Sequence, residues 1–204
     1  TAALLNSQPM GFYAPSQLVQ DAAGHGVEIR AADIQLSAWD CTLEAAGPGR
    51  GMPAIRLGLR MVKGLPADAG ARLVDARGPA GFIDVTDLAR RAALDGGAIK
   101  ALSRAGALKT LAGNRHQAGW AALAIEQPVD VIAEARITEA TPLLRQPSEG
   151  EDIIADYSSL GLTLGRHPLA LLRRQLDLRH FITAEMLSRA GHGECIRTAG
   201  LVVT

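Results

Sequence analysis

Ile55 to Arg77 reads IRLGLRMVKGLPADAGARLVDAR. Ile55, Leu57, Leu59 and Met61 alternate with Arg56, Gly58, Arg60 and Val62, and a period of two predicts a half-buried strand. The second half fits equally well as a helical turn leading into Lys63-Gly64-Leu65-Pro66. That tetrapeptide predicts a tight turn, and Ala67 to Ala76 a short helix with Leu73 and Val74 facing inward. A turn with little side-chain bulk lets backbone N–H groups approach an anion. The helix after it aims its free N–H groups and the positive end of its dipole the same way. The stretch therefore reads as a phosphate-gripping hairpin, with Lys63 adding a charge and Arg56 and Arg60 preceding the turn on a common face. Pro66 stands where such turns usually have Gly and has no N–H to give, so a purely structural turn is the other reading.

Working outward, residues 51–120 hold eleven Lys/Arg against five Asp, a net of +6. The flanks differ: 1–50 sum to −3, 121–165 to −6 and 166–204 to +3, within a chain whose formal net charge is zero. A basic block centred on the hairpin is the footprint of a nucleic-acid-binding surface that the overall charge hides. Such contacts go to the phosphate backbone, so the expected binding is independent of base sequence and sensitive to salt.

Downstream of Gly78-Pro79-Ala80-Gly81, Asp84 with Asp87 three residues later predicts a helix running to about Ala92. Asp95-Gly96-Gly97 is a second tight turn, followed by a helix from Ala98 to Arg104 that Gly106 stops. Two helix–turn–helix pairs in succession suggest a tandem helix-hairpin-helix unit, although Asp95 places an acid where phosphate would sit. The candidate DNA-binding set is Arg56, Arg60, Lys63, Gly64, Leu65, Arg72, Gly96, Gly97, Lys100 and Arg104. Arg72 lies four residues after Asp68 and can equally close a helix pair, and Lys100 with Arg104 can equally be solvated surface.

Upstream, Ala2-Ala3-Leu4-Leu5 reads as a helix tail, and a second helix runs from about Pro15 to Ala23 with Leu18, Val19 and Ala22 on one face. Val27 to Asp33 is extended, with Trp39 and Leu43 packed under a small sheet. Downstream, Asn114 caps a helix from Arg115 to about Ile125, and Gln127 to Pro147 is an acidic linker. Ser148-Glu149-Gly150-Glu151 is a capping box opening a helix through Tyr157 and Leu160. His167-Pro168 opens a helix with Leu169, Leu172 and Leu176 on one face, and Thr183 starts a short one. The chain starts at Thr1 and stops at Thr204 inside an apparent strand from Cys195, which reads as a piece cut from a larger protein.

No apolar run approaches the roughly 20 residues of a membrane span. Two cysteines, Cys41 and Cys195, make no disulfide framework, which fits a cytoplasmic location. No catalytic set stands out. Asp152 and Asp156 lie one helical turn apart, but acids early in a helix are favoured by its dipole. His192 and Cys195 lack the second ligand pair a zinc site needs.

Ordered motifs along the whole length carry a resemblance. They are Ala3-Leu4-Leu5-Asn6-Ser7-Gln8-Pro9-Met10-Gly11-Phe12-Tyr13, Ser37-Ala38-Trp39-Asp40-Cys41-Thr42-Leu43-Glu44 and Arg56-Leu57-Gly58-Leu59-Arg60-Met61-Val62-Lys63-Gly64-Leu65. Further on come Arg104-Ala105-Gly106-Ala107-Leu108, Pro147-Ser148-Glu149-Gly150-Glu151-Asp152 and Leu160-Gly161-Leu162-Thr163-Leu164-Gly165-Arg166-His167-Pro168-Leu169. With them the chain resembles the C-terminal half of bacterial C-family DNA polymerases, closest to their error-prone, damage-tolerant branch.

The resemblance implies a mainly α fold with small β elements: a tandem helix-hairpin-helix domain between the end of a fingers domain and the start of an OB domain. In this numbering, 1–45 closes the fingers, 46–115 is the tandem hairpin domain on double-stranded DNA, 116–192 is linker and connecting helices, and 193–204 is the first OB strand. It also implies that the polymerase carboxylates and their Mg lie in a palm domain outside this chain, which itself needs no cofactor. Replicative relatives carry a sliding-clamp motif built on a Gln and an aromatic. The stretch near Leu143-Leu144-Arg145-Gln146-Pro147 has no aromatic, which implies indirect clamp recruitment through accessory mutagenesis proteins. A different class of reading is a platform that docks those proteins without touching DNA.

Overall fold

A computed structural model describes residues 1–47, 49, 51–123, 125, 142 and 144–201. The chain divides into two compact units, Thr1–Leu164 and Gly165–Thr204.

The first unit opens with α1 (Ala2–Asn6) and α2 (Pro15–Gly24), the latter starting on Pro15 at its first turn, with Val19 and Ala22 buried. Three short strands follow: β1 (Ile29–Arg30), β2 (Thr42–Glu44) and β3 (Ala54–Arg56). β3 is central, parallel to β1 with Arg30 beside Arg56, and antiparallel to β2 with Glu44 opposite Ala54. Neighbouring guanidinium groups repel unless an acid lies between them. Glu44 supplies it, accepting from Arg56 Nε at 2.8 Å and from Arg30 Nη1 at 2.5 Å. Those bonds hold the Glu44 carboxyl down to about 2, Arg56 contributing most.

A carboxylate depressed in the fold stabilises it fully above the ordinary glutamate range and loses that contribution as pH falls toward about 2. The stability of the native chain should therefore fall more steeply between about pH 5 and pH 2 than that of a Glu44→Gln variant. Denaturant titrations at several pH values measure the difference.

The period-two expectation for Ile55 to Met61 holds only as far as Arg56. Beyond it the chain forms one 3-10 turn, Leu59–Met61, the helical alternative. The reason is long-range: Leu59 N–H donates to Ala38 O at 2.9 Å and Arg60 N–H to Trp39 O at 3.0 Å, so the chain leaves the sheet to cross over 38–41. Leu43 was expected under the sheet. It is 62% exposed, because β2 is an edge strand whose Leu43 side chain has no layer over it. Trp39 does pack against the core.

Among the described residues this unit continues with α3 (Ala67–Arg77), α4 (Val85–Arg91), α5 (Gly96–Arg104), α6 (Lys109–Ala112) and α7 (Arg115–Leu123). α8 (Glu149–Ser159) follows the acidic linker, nearly all of which lies outside the described residues. Local signals set these ends. Asp84 accepts from Asp87 N–H at 2.7 Å, Asn114 Oδ1 from Gln117 N–H at 3.0 Å, and Ser148 and Glu151 form the capping box. The buried side chains form one core, with Leu57, Leu59, Leu73, Leu88, Ile99, Leu102 and Leu108 fully enclosed.

The second unit holds α9 (Pro168–Leu178), β4 (Phe181–Ile182), α10 (Ala184–Leu187) and β5 (Arg197–Thr198), with β4 and β5 paired in parallel. The expected final strand is thus two residues of pairing among those described, and its partner β4 was not foreseen. α9 buries none of its residues.

Candidate nucleic-acid interface

The first hairpin joins the 3-10 turn to α3. Gly64 sits at φ +82°, a conformation that favours glycine, and Leu65 N–H closes the turn on Val62 O at 3.2 Å. Leu65 is buried and anchors the turn. Pro66 is the N-cap of α3, its carbonyl accepting from Gly70 N–H at 3.0 Å, and no side chain caps that end.

The second hairpin joins α4 to α5. Gly96 and Gly97 are not a turn ahead of a helix beginning at Ala98; they are the first residues of α5. The cause is Asp95, whose carboxylate accepts from Ala98 N–H at 2.7 Å and so starts the helix two residues earlier. The acid that would face a phosphate is thereby turned onto the helix end. The left-handed residue of this hairpin is Ala93, at φ 47°.

The two hairpins meet. A cleft of about 240 Å³ is lined by Lys63 and Gly64 from the first, Gly97, Lys100 and Arg104 from the second, and Ser158 and Ser159 of α8. The N–H groups of Gly64, Gly96 and Gly97 find no acceptor among the described residues. Lys100 and Arg104, one turn apart on α5, are exposed and have no acidic partner among them either. Backbone donors and two cations around one cleft are groups that can accept an anion.

The rest of the basic block is otherwise engaged. Arg56 is held by Glu44, with its third nitrogen donating to Ala31 O at 3.0 Å. Arg60 pairs with Asp40 at 2.8 Å. Arg72 pairs with Asp68 at 2.5 Å and donates to Ala92 O at 3.2 Å, tying α3 to the end of α4. Lys109 and Arg115 pair with Asp152, and Arg115 also with Asp156. The acidic flanks seen in the sequence thus fold back onto the basic block. Of its eleven cations, those left facing the cleft are Lys63, Lys100 and Arg104.

Lys63 has a second task. Its N–H donates to Ser159 O at 2.8 Å and its Nζ to Tyr157 O at 3.3 Å, a cation against the negative end of the α8 dipole. α8 is held further by Arg115, only 8% exposed, whose two terminal nitrogens donate to Asp152 and Asp156. Asp156 also accepts from Thr163 Oγ1 at 2.8 Å. These two acids, one turn apart, are arginine partners; among the described residues no cluster of His, Cys, Asp and Glu suits a metal. Arg115 escapes sequence reading because its partners Asp152 and Asp156 lie 37 and 41 residues away in the chain. No described helix is long and apolar enough to cross a membrane.

Residues 26–118, which contain both hairpins, match the family described as helix-hairpin-helix motif. Three curated relatives, each named error-prone DNA polymerase, align along nearly the whole chain. That of Alkalilimnicola ehrlichii is 56% identical over 203 residues, covering 100% of this chain and 20% of the relative. That of Methylococcus capsulatus is 50% identical over 218 residues, covering 98% and 21%. That of Pseudomonas aeruginosa is 49% identical over 202 residues, covering 98% and 19%. The chain spans about a fifth of the length of the curated relatives it matches.

Proposed function

We propose that this chain, homologous to one segment of error-prone DNA polymerases, is the part that grips duplex DNA by its phosphates during damage-tolerant synthesis in the cytoplasm. The observation that carries the reading is the cleft between the hairpins, where Lys100 and Arg104 stand without acidic partners among the described residues beside the free N–H groups of Gly64 and Gly97. Contacts made to phosphates carry no base information, which suits a polymerase that must hold any sequence. Residues 46–115 then form the duplex-binding domain, with 1–45 belonging to the fingers, 116–192 to linker and connecting helices, and 193–204 to an OB domain. Nucleotidyl transfer and its Mg belong to a palm domain elsewhere in the parent enzyme.

Fluorescence anisotropy with a labelled duplex at low salt tests this. Reversing two phosphate contacts in Lys100→Glu/Arg104→Glu should weaken binding by about 30-fold or more, at about 1–3 kcal/mol for each charge-assisted contact. Unchanged affinity in a folded double variant overturns the reading. Arg60→Glu is a poor probe, because it places a second acid against Asp40 and perturbs the fold.

A second role is supported by α9, which leaves Leu172 and Leu178 exposed beside Arg173 and Arg174. We assign this helix to accessory mutagenesis proteins, through which contact with the sliding clamp is indirect. Capture of a purified accessory protein that survives deletion of 165–204 would contradict it.

A further inference from the structure

A groove of about 950 Å³ runs beside the phosphate cleft, between α5, α7 and α8, and shares Lys100, Arg104 and Ser158 with it. Its walls differ in kind. α5 presents Lys100 and Arg104; α7 presents His116 and Trp120, also one turn apart; Leu123 and Ile154 supply aliphatic surface. Trp120 is 48% exposed, although an indole normally buries its large apolar area. Cations on one helix and an exposed indole on the next, lining one groove, are the elements that hold a single strand, its backbone on the charges and a base on the ring.

We infer that this groove receives unpaired bases of a strand whose backbone lies at the phosphate cleft, with Trp120 as the stacking platform. The inference rests on the proposed reading of the cleft as a phosphate site. A base that leaves a duplex loses its stacking, and a ring such as Trp120 restores it at about 1–3 kcal/mol per base. The groove favours a nucleic acid over a partner helix because its two rim cations are the ones that line the cleft. A protein seated there would compete with DNA for Lys100 and Arg104. The bound form is therefore a junction between duplex and single strand rather than a blunt duplex.

Three probes separate the possibilities: a blunt duplex, the same duplex with an oligothymidine tail of about 8 nucleotides, and the oligothymidine alone. Anisotropy and tryptophan emission are read together. The chain has two tryptophans, and the other, Trp39, packs against the core, so Trp120→Phe identifies the responding one. The tail should strengthen binding about 10-fold and quench emission. Trp120→Ala should abolish that gain and leave the blunt-duplex affinity within about 2-fold, while Trp120→Phe should keep most of it.

A tail that adds no affinity, or a Trp120→Ala loss equal for blunt and tailed duplex, overturns the inference and returns the groove to a protein contact. Failure to bind blunt duplex, with Trp120-dependent quenching retained by oligothymidine, overturns the duplex reading and supports this one.

Discussion

Gly58→Ala should cost about 4 kcal/mol or more, lowering the thermal midpoint by about 10 °C or leaving the chain insoluble. A Cβ at this position would stand 2.4 Å from the carbonyl carbon of Asp40 and the carbonyl oxygen of Trp39, and 2.6 Å from the Cys41 nitrogen. All three are main-chain atoms, and that main chain is pinned. Gly58 N–H donates to Cys41 Sγ at 3.3 Å, and Leu59 and Arg60 donate to the carbonyls of Ala38 and Trp39. Relief would require breaking the crossing that carries the chain from β3 into the first hairpin. Gly70 gives the contrast. Its Cβ would stand 2.3 Å from the Trp39 ring, a side chain that can shift, so Gly70→Ala should cost less, about 1–3 kcal/mol. Calorimetry of the two variants ranks them; a Gly58→Ala midpoint within about 2 °C of the native one would contradict the account.

Arg115→Met should cost about 3–5 kcal/mol, the range for removing one member of a buried ion cluster. The expense comes from what remains. Asp152 keeps Lys109 at 3.3 Å and Asp156 keeps Thr163, but both carboxylates lose the guanidinium that holds them under α7. Removing the charges together, as Arg115→Met/Asp152→Asn/Asp156→Asn, should recover more than half of the loss, because no unpaired charge is left buried. The single variant should also speed hydrogen exchange along α8 before the rest of the unit, since Arg115 and Lys63 are its polar anchors. Native exchange rates on α8 with a loss under about 1 kcal/mol would contradict the assignment.

These positions show how far the sequence could be read. Helix starts at Asp84, Asn114 and Ser148 were legible because a cap and its N–H lie within three residues. So was the Gly64 turn. The start of α5 is obscured for a local reason: an acid before two glycines reads as a charge facing a ligand, and in the fold it is the cap for Ala98. Other misses were long-range. The alternation of Ile55 to Met61 mimics a strand, yet the chain turns off after Arg56 because 38–41 crosses there. Most consequential was the basic block. Its net charge of +6 suggested a broad cationic face, and the fold pairs Arg56, Arg60, Lys109 and Arg115 with acids outside the block. Net charge along a sequence counts ions; only the fold shows which remain free.

The central claim is that the surviving cations, Lys63, Lys100 and Arg104, hold phosphates at the cleft between the hairpins. The slope of log affinity against log salt for a blunt duplex measures it. About 0.9 counterion is released per phosphate neutralised, so three contacts predict a slope of about −2.7. Lys100→Gln/Arg104→Gln should bring it to about −0.9. A slope that the double variant leaves unchanged, measured on folded protein, would contradict the account.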